Sequence, residues 1–186
     1  GENINEYGIS FGVGLPVGRL FSNINIGFEL GSKGTTSQGL VKENFFNSEE
    51  DIKDGMDISL CALDRKNMVL EFAGANHPLL IVREGKILET KGDKQPIGQY
   101  ISRKNFTNHE IPVLKGDVVY LFSDGYADQF GGEHGKKLKY KTFKELLLKN
   151  ISEPMHNQGD SLDEAFEKWK GEQEQIDDVC VVGVKI

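Results

Sequence analysis

Carboxylates that flank two apolar runs are the residues of this chain best suited to chemistry. The segment VVYLFSDGYAD, residues 118–128, ends its apolar run at Ser123 and then places Asp124 and Asp128 four positions apart. The segment DDVCVVGVKI, residues 177–186, reverses the order, with Asp177 and Asp178 ahead of the apolar run. If the two runs pair as antiparallel strands, the end of one lies beside the beginning of the other. Asp124 and the Asp177–Asp178 pair then converge at one rim of a sheet. Carboxylates gathered in this way repel one another unless protonated or bridged by a cation. Mg2+ and Mn2+ are hard ions that take oxygen ligands of this kind. Gly125 has no Cβ, which permits a tight turn and a close approach of backbone to a ligand. The spacing leaves a second reading open, in which Asp124 starts a turn and Asp177 caps a strand.

Other polar residues have lesser claims. Asp57, between Met56 and Ile58, reads as a strand-edge aspartate or as a group facing the same rim. Asp128 reads either as a solvated loop carboxylate or as a group that touches a metal or orients water. His77, in GANHP, and His134, in GGEHGKK, occupy turns, and the structural role outweighs a phosphate-binding one. Lys136, Lys137, Lys139 and Lys141 form a basic cluster near Asp124, read first as a solvated face and second as an attraction for a phosphorylated substrate.

The elements that must position these residues follow from hydrophobic periodicity. DISLCALD (57–64), MVLEFAGA (68–75), PLLIVRE (78–84) and KILETK (86–91) predict four short strands in an antiparallel meander, separated by turn residues. The runs GDVVYLFSD and VCVVGVKI suit central strands covered on both faces. Two helices are expected between them. In TFKELLLKNI, Thr142 and Glu145 form a capping box. In SLDEAFEKWKG, Ser161 and Glu164 repeat it, Leu162, Ala165, Phe166 and Trp169 form a stripe, and Gly171 is the stop signal. Strands first, two late helices and a return strand predict an α+β fold with layered, mostly antiparallel sheets.

Composition sets the outer limits. With 186 residues, 38% hydrophobic and 27% charged, the chain can bury a core. A formal charge of −7 argues against a nucleic-acid surface as its main business. Cys61 and Cys180 sit in apolar runs without zinc-type spacing, so both read as free thiols of a reducing compartment. No stretch has the apolar length of a membrane-spanning helix, and no signal peptide is visible.

GDVVYLFSDGYAD and QIDDVCVVGVKI, preceded by LEFAGANHPLLIVREGKI and DKQPIGQY, resemble the PPM-type serine/threonine phosphatases, and within them the SpoIIE-type domain. The resemblance runs from about residue 51 to residue 186 with the motifs in the family's order. It implies the C-terminal part of an αββα sandwich, cytoplasmic residence and a binuclear Mn2+ or Mg2+ centre. It implies that a metal-activated water attacks phosphoserine or phosphothreonine on a phosphorylated signalling protein. Asp124 and Asp177 match the family's metal-binding carboxylates, Gly125 the turn, and Asp178 a position that is often Asn or Asp. One departure is plain. The family's earlier D-G-x-G metal motif has no counterpart here, since DGMD at 54–57 lacks the second glycine. A catalytically incomplete fragment or chimera acting as a binding module is therefore the alternative, and the oligomeric state is left open.

Residues 1–47 have another texture, rich in Gly, Asn and Ser, and read as a hairpin-like segment joined to the domain at 51–186. NINIGFELGSKGTTSQGLVKENFF resembles the terminal strands and turn of a bacterial outer-membrane β-barrel. Two or three strands cannot close a barrel, so no membrane role is expected.

Overall fold

The computed structural model describes residues 8–12, 25–30, 55–98 and 104–186. The strands in chain order begin with β1 (Gly8–Gly12), β2 (Asn25–Leu30), β3 (Gly55–Met56), β4 (Ile58–Asp64), β5 (Val69–Ala75), β6 (Leu79–Arg83) and β7 (Lys86–Thr90). They continue with β8 (Ile97–Gly98), β9 (His109–Pro112), β10 (Val118–Phe122), β11 (Phe130–Gly131), β12 (Lys136–Lys137) and β13 (Val181–Lys185). The helices are α1 (Gly125–Asp128), α2 (Tyr140–Lys149) and α3 (Met155–Lys170). The fold class is α+β with mostly antiparallel sheets, as the element pattern predicts. The chain divides into two compact units, one of residues 1–79 and 90–114, the other of residues 80–89 and 115–186.

The first unit holds a sheet in the order β1-β2-β4-β5-β9. Alternation in ISLCALD and VLEFAGA buries Cys61 and Leu63 on β4 and Leu70 and Phe72 on β5, while Ile58 packs on the other face with Ala75 and Ile97. The turn between them is closed by Asp64, whose Oδ1 accepts the N–H groups of Lys66 and Asn67 at 2.9 and 3.0 Å. Those bonds, the Asn67 backbone one first, hold its carboxyl below the usual carboxylate range. Strand β2 pairs with β4 in parallel, from Asn25↔Ile58 to Leu30↔Leu63. This corrects the outer-membrane barrel resemblance for Asn25–Leu30, because such barrels are antiparallel throughout. The rest of residues 1–47, apart from β1, lies outside the described residues.

The second unit is built on a sheet in the order β13-β10-β6-β7. Strands β6 and β7 meet at Glu84–Gly85, both with positive φ, the two-residue hairpin geometry. Val118, Tyr120 and Phe122 on β10 pack with Phe143 and Leu147 of α2 and Leu162 and Phe166 of α3. Tyr126 joins them, its ring centroid 4.9 Å from Phe143 and 5.2 Å from Phe166. Burying these apolar side chains is the main stabilising term, about 1.5–3 kcal/mol for each large one. Among the described residues, no helix is long and apolar enough to cross a membrane.

Three expectations need correction. The four early strands are not one meander: β4 and β5 lie in one sheet, β6 and β7 in the other. The turn at Asn76, with φ 60°, carries the chain from one sheet to the next instead of closing a hairpin. Among the described residues, strand β13 is not central but stands at the edge of its sheet, half-buried along Val181–Val184. Neither helix uses its expected cap. Helix α2 begins at Tyr140, two residues before Thr142, and α3 begins at Met155, placing Ser161 in its interior. Gly171 does close α3, with φ 57°.

Candidate functional site

The rim is made by the antiparallel pairing of β10 with β13, in register from Val118↔Lys185 to Phe122↔Val181. Beyond Phe122 the ladder continues through Ser123, whose N–H donates to the Cys180 carbonyl at 3.0 Å. The buried Ser123 hydroxyl then works in both directions. Its Oγ donates to the Asp178 carbonyl at 2.7 Å and accepts the Cys180 N–H at 2.9 Å. The peptide groups on both sides of Val179 are thereby fixed to the residue that precedes Asp124.

Helix α1 starts immediately afterwards. Asp124 is exposed and sits at its N-cap with φ −73° and ψ −18°, and its carboxylate makes no capping bond to the helix. Its carbonyl accepts the Asp128 N–H at 3.0 Å. Gly125 is buried, and a Cβ there would collide with the Asp178 carbonyl oxygen. The close approach of α1 to Asp178 therefore requires glycine. Asp177 is exposed; its Oδ1 accepts the Asp178 N–H at 2.8 Å, and its carbonyl accepts Gln175 Nε2 at 2.9 Å. Asp178 is half-buried. Burial raises the Cys180 thiol above its ordinary range, so it stays protonated beside the rim at neutral pH.

The structure thus brings Asp124, Gly125, Asp177 and Asp178 to one edge. The other sequence candidates lie elsewhere or are engaged. Asp128 forms an ion pair with Lys137 at 2.8 Å, solvent-exposed on both sides and worth at most about 1 kcal/mol. Asp57 belongs to the first unit, where its Oδ1 accepts Asn76 Nδ2 at 2.7 Å. His77 is buried in the first unit, and His134 is exposed in the loop between β11 and β12. The basic cluster is partly neutralised by the Lys137–Asp128 pair and by Lys141–Glu145 at 3.9 Å.

The donor set at the rim is all oxygen, which suits a hard divalent cation. Its number falls short of a binuclear shell. Among the described residues, no group of three or more His, Cys, Asp or Glu side chains is arranged to hold a metal. Two buried residues that build the rim carry no motif of their own: Ser123, and Gln129 at the far end of α1. The only sequence signal for the first is a hydroxyl placed between an apolar run and Asp-Gly.

No curated protein matches the chain. Residues 1–52 match the family described as BamG, which lends no support to a barrel reading of that segment. The SiaA-PP2C domain of Pseudomonas aeruginosa superposes with TM-score 0.72 at 28% identity, covering 80% of this chain and 59% of that one. The chain therefore spans only part of that domain. The phosphatase domain of the cell fate determinant SpoIIE from Bacillus subtilis, presoaked with Mn, has TM-score 0.55 at 16% identity, covering 84% of this chain and 76% of that one. That second likeness concerns the fold alone. Residues 38–186 match the family described as Stage II sporulation protein E, and the chain belongs to the SpoIIE family of protein phosphatase domains.

Proposed function

We propose that this chain is a metal-dependent protein phosphatase domain acting on phosphoserine or phosphothreonine of a signalling partner protein in the cytoplasm. The observation that carries the reading is the register of β10 on β13, which sets Asp124 beside the Asp177–Asp178 segment. In this role Asp124 and Asp177 hold the cation, Mn2+ or Mg2+, and Gly125 lets the turn approach Asp178. A divalent cation held in this way supplies an activated water and charge neutralisation for phosphate-ester hydrolysis. Ser123 ties the two acidic segments together through its bonds to the Asp178 carbonyl and the Cys180 N–H.

The second reading, a catalytically incomplete fragment or chimera that acts as a binding module, is favoured by two observations. The sequence has no D-G-x-G segment, and two family matches meet within residues 38–52. Calorimetric titration with Mn2+ and phosphate release from a phosphopeptide separate the two. Mn2+-dependent turnover that falls at least a hundredfold in Asp124→Asn supports the phosphatase. Turnover that survives the substitution removes Asp124 from the metal site. A folded chain that takes up no Mn2+ and releases no phosphate leaves the binding-module reading.

A further inference from the structure

Ser123 fixes only one end of the acidic segment, at Asp178. The other end is approached by Gln129, which is fully buried at the C-cap of α1. Its Nε2 donates to the Phe130 carbonyl at 3.0 Å and to the Glu174 carbonyl at 2.9 Å. Its own main chain is equally committed. The Gln129 N–H donates to the Gly125 carbonyl at 3.1 Å, and its carbonyl accepts the Leu138 N–H at 3.0 Å and Trp169 Nε1 at 3.0 Å. One residue therefore joins α1, the end of α3 and the loop that carries Gln175, Ile176 and Asp177.

Among the described residues, that loop is otherwise held by short-range bonds, such as Gln173 N–H to the Lys170 carbonyl and Gln175 Nε2 to the Asp177 carbonyl. Residues 171–177 are all exposed, so burial contributes little to their order. Among the described residues the buried Gln129 Oε1 atom has no hydrogen-bond partner, a cost that a purely apolar side chain of the same shape avoids. The amide is thus explained by its two donated bonds, of which only the one to Glu174 reaches across the chain. We propose that Gln129 is a positioning residue for the rim: its amide holds the Glu174 end of the acidic loop as Ser123 holds the Asp178 end, and so keeps Asp177 beside Asp124. This rests on the metal reading above for its consequence, though the tether itself does not.

Gln129→Met keeps length and volume but cannot donate. Amide exchange in the metal-free chain should accelerate by about fivefold to tenfold at residues 174–178 while α2 is unaffected, the scale of one lost hydrogen bond. Mn2+ affinity should weaken by a similar factor, and Gln129→Asn, which retains the donors on a shorter arm, should recover part of both. Unchanged exchange at 174–178 overturns the tether. Faster exchange with unchanged Mn2+ affinity overturns the positioning role and leaves a structural bond. If the wild-type chain takes up no Mn2+, the metal reading fails by itself and exchange alone decides the tether. Should Gln129→Met fail to fold, the wild-type chain still answers. The Gln129 side-chain amide protons should exchange slowly in NMR spectra, and rapid exchange overturns the proposal.

Discussion

Strand β10 has an aspartate near each end, and the protein treats the two in opposite ways. Asp117, just before the strand, is buried, and the Arg83 guanidinium grips it through Nε at 3.0 Å and Nη2 at 2.7 Å. Asp124, just after it, is exposed, with the backbone around it fixed by Ser123 and Gly125. At the first end the carboxylate is neutralised and serves the fold. At the second, the carboxylate stays at the surface, on a backbone that Ser123 and Gly125 hold in place.

The largest effect expected from this contrast is at the buried end. Arg83→Met takes the guanidinium away from the buried Asp117 charge and should cost about 3 kcal/mol in urea unfolding. A loss below about 1 kcal/mol would mean that Asp117 is better solvated than its burial implies. At the rim, Gly125→Ala should cost about 2 kcal/mol by forcing α1 away from Asp178, with the Asp178 amide resonance displaced. An unshifted resonance would show that the close approach is not needed. Ser123→Ala removes one hydroxyl with two bonds and should cost about 1 kcal/mol, again by denaturant unfolding. A cost equal to that of Arg83→Met would erase the difference between the ends.

The smallest effect concerns the middle of the strand. Burial pushes the Tyr120 hydroxyl up from 10.0 to about 12. The stability it contributes is fully present below pH 10 and is lost as the pH rises through about 12. Other buried tyrosines and Cys61 are raised as well, so Tyr120→Phe should flatten only part of the alkaline decline. A decline unchanged by that substitution would put the ionisation elsewhere.

Much of the scaffold could be read from local pattern. DISLCALD, MVLEFAGA and PLLIVRE alternate or run apolar between clear turn residues, and the strands Ile58–Asp64, Val69–Ala75 and Leu79–Arg83 fall within a residue of those limits. Which strands share a sheet could not be read, because the turn at Asn76 is chemically a turn in either case. The edge position of β13 was hidden for a related reason: Val181, Val182 and Val184 are apolar whether one side or both sides are covered. The capping boxes misled because tertiary packing of Tyr140 and Met155 extends both helices past the residues that would start them in isolation. At the site, the antiparallel pairing of β10 with β13 was legible as two apolar runs with acidic ends. The parts played by Ser123 and Gln129 were not, since a hydroxyl or an amide declares its role only through neighbours fifty-odd positions away or on another element.

The hydrogen bond from Trp169 to the Gln129 carbonyl has a practical consequence. The chain contains one tryptophan, and its indole is anchored to the residue that ends α1 and grips the acidic loop. Its emission is therefore an optical reporter of the rim already present in the unlabelled protein. Occupancy of the rim, or slackening of the loop, can be followed as a change in the colour and intensity of a single fluorophore.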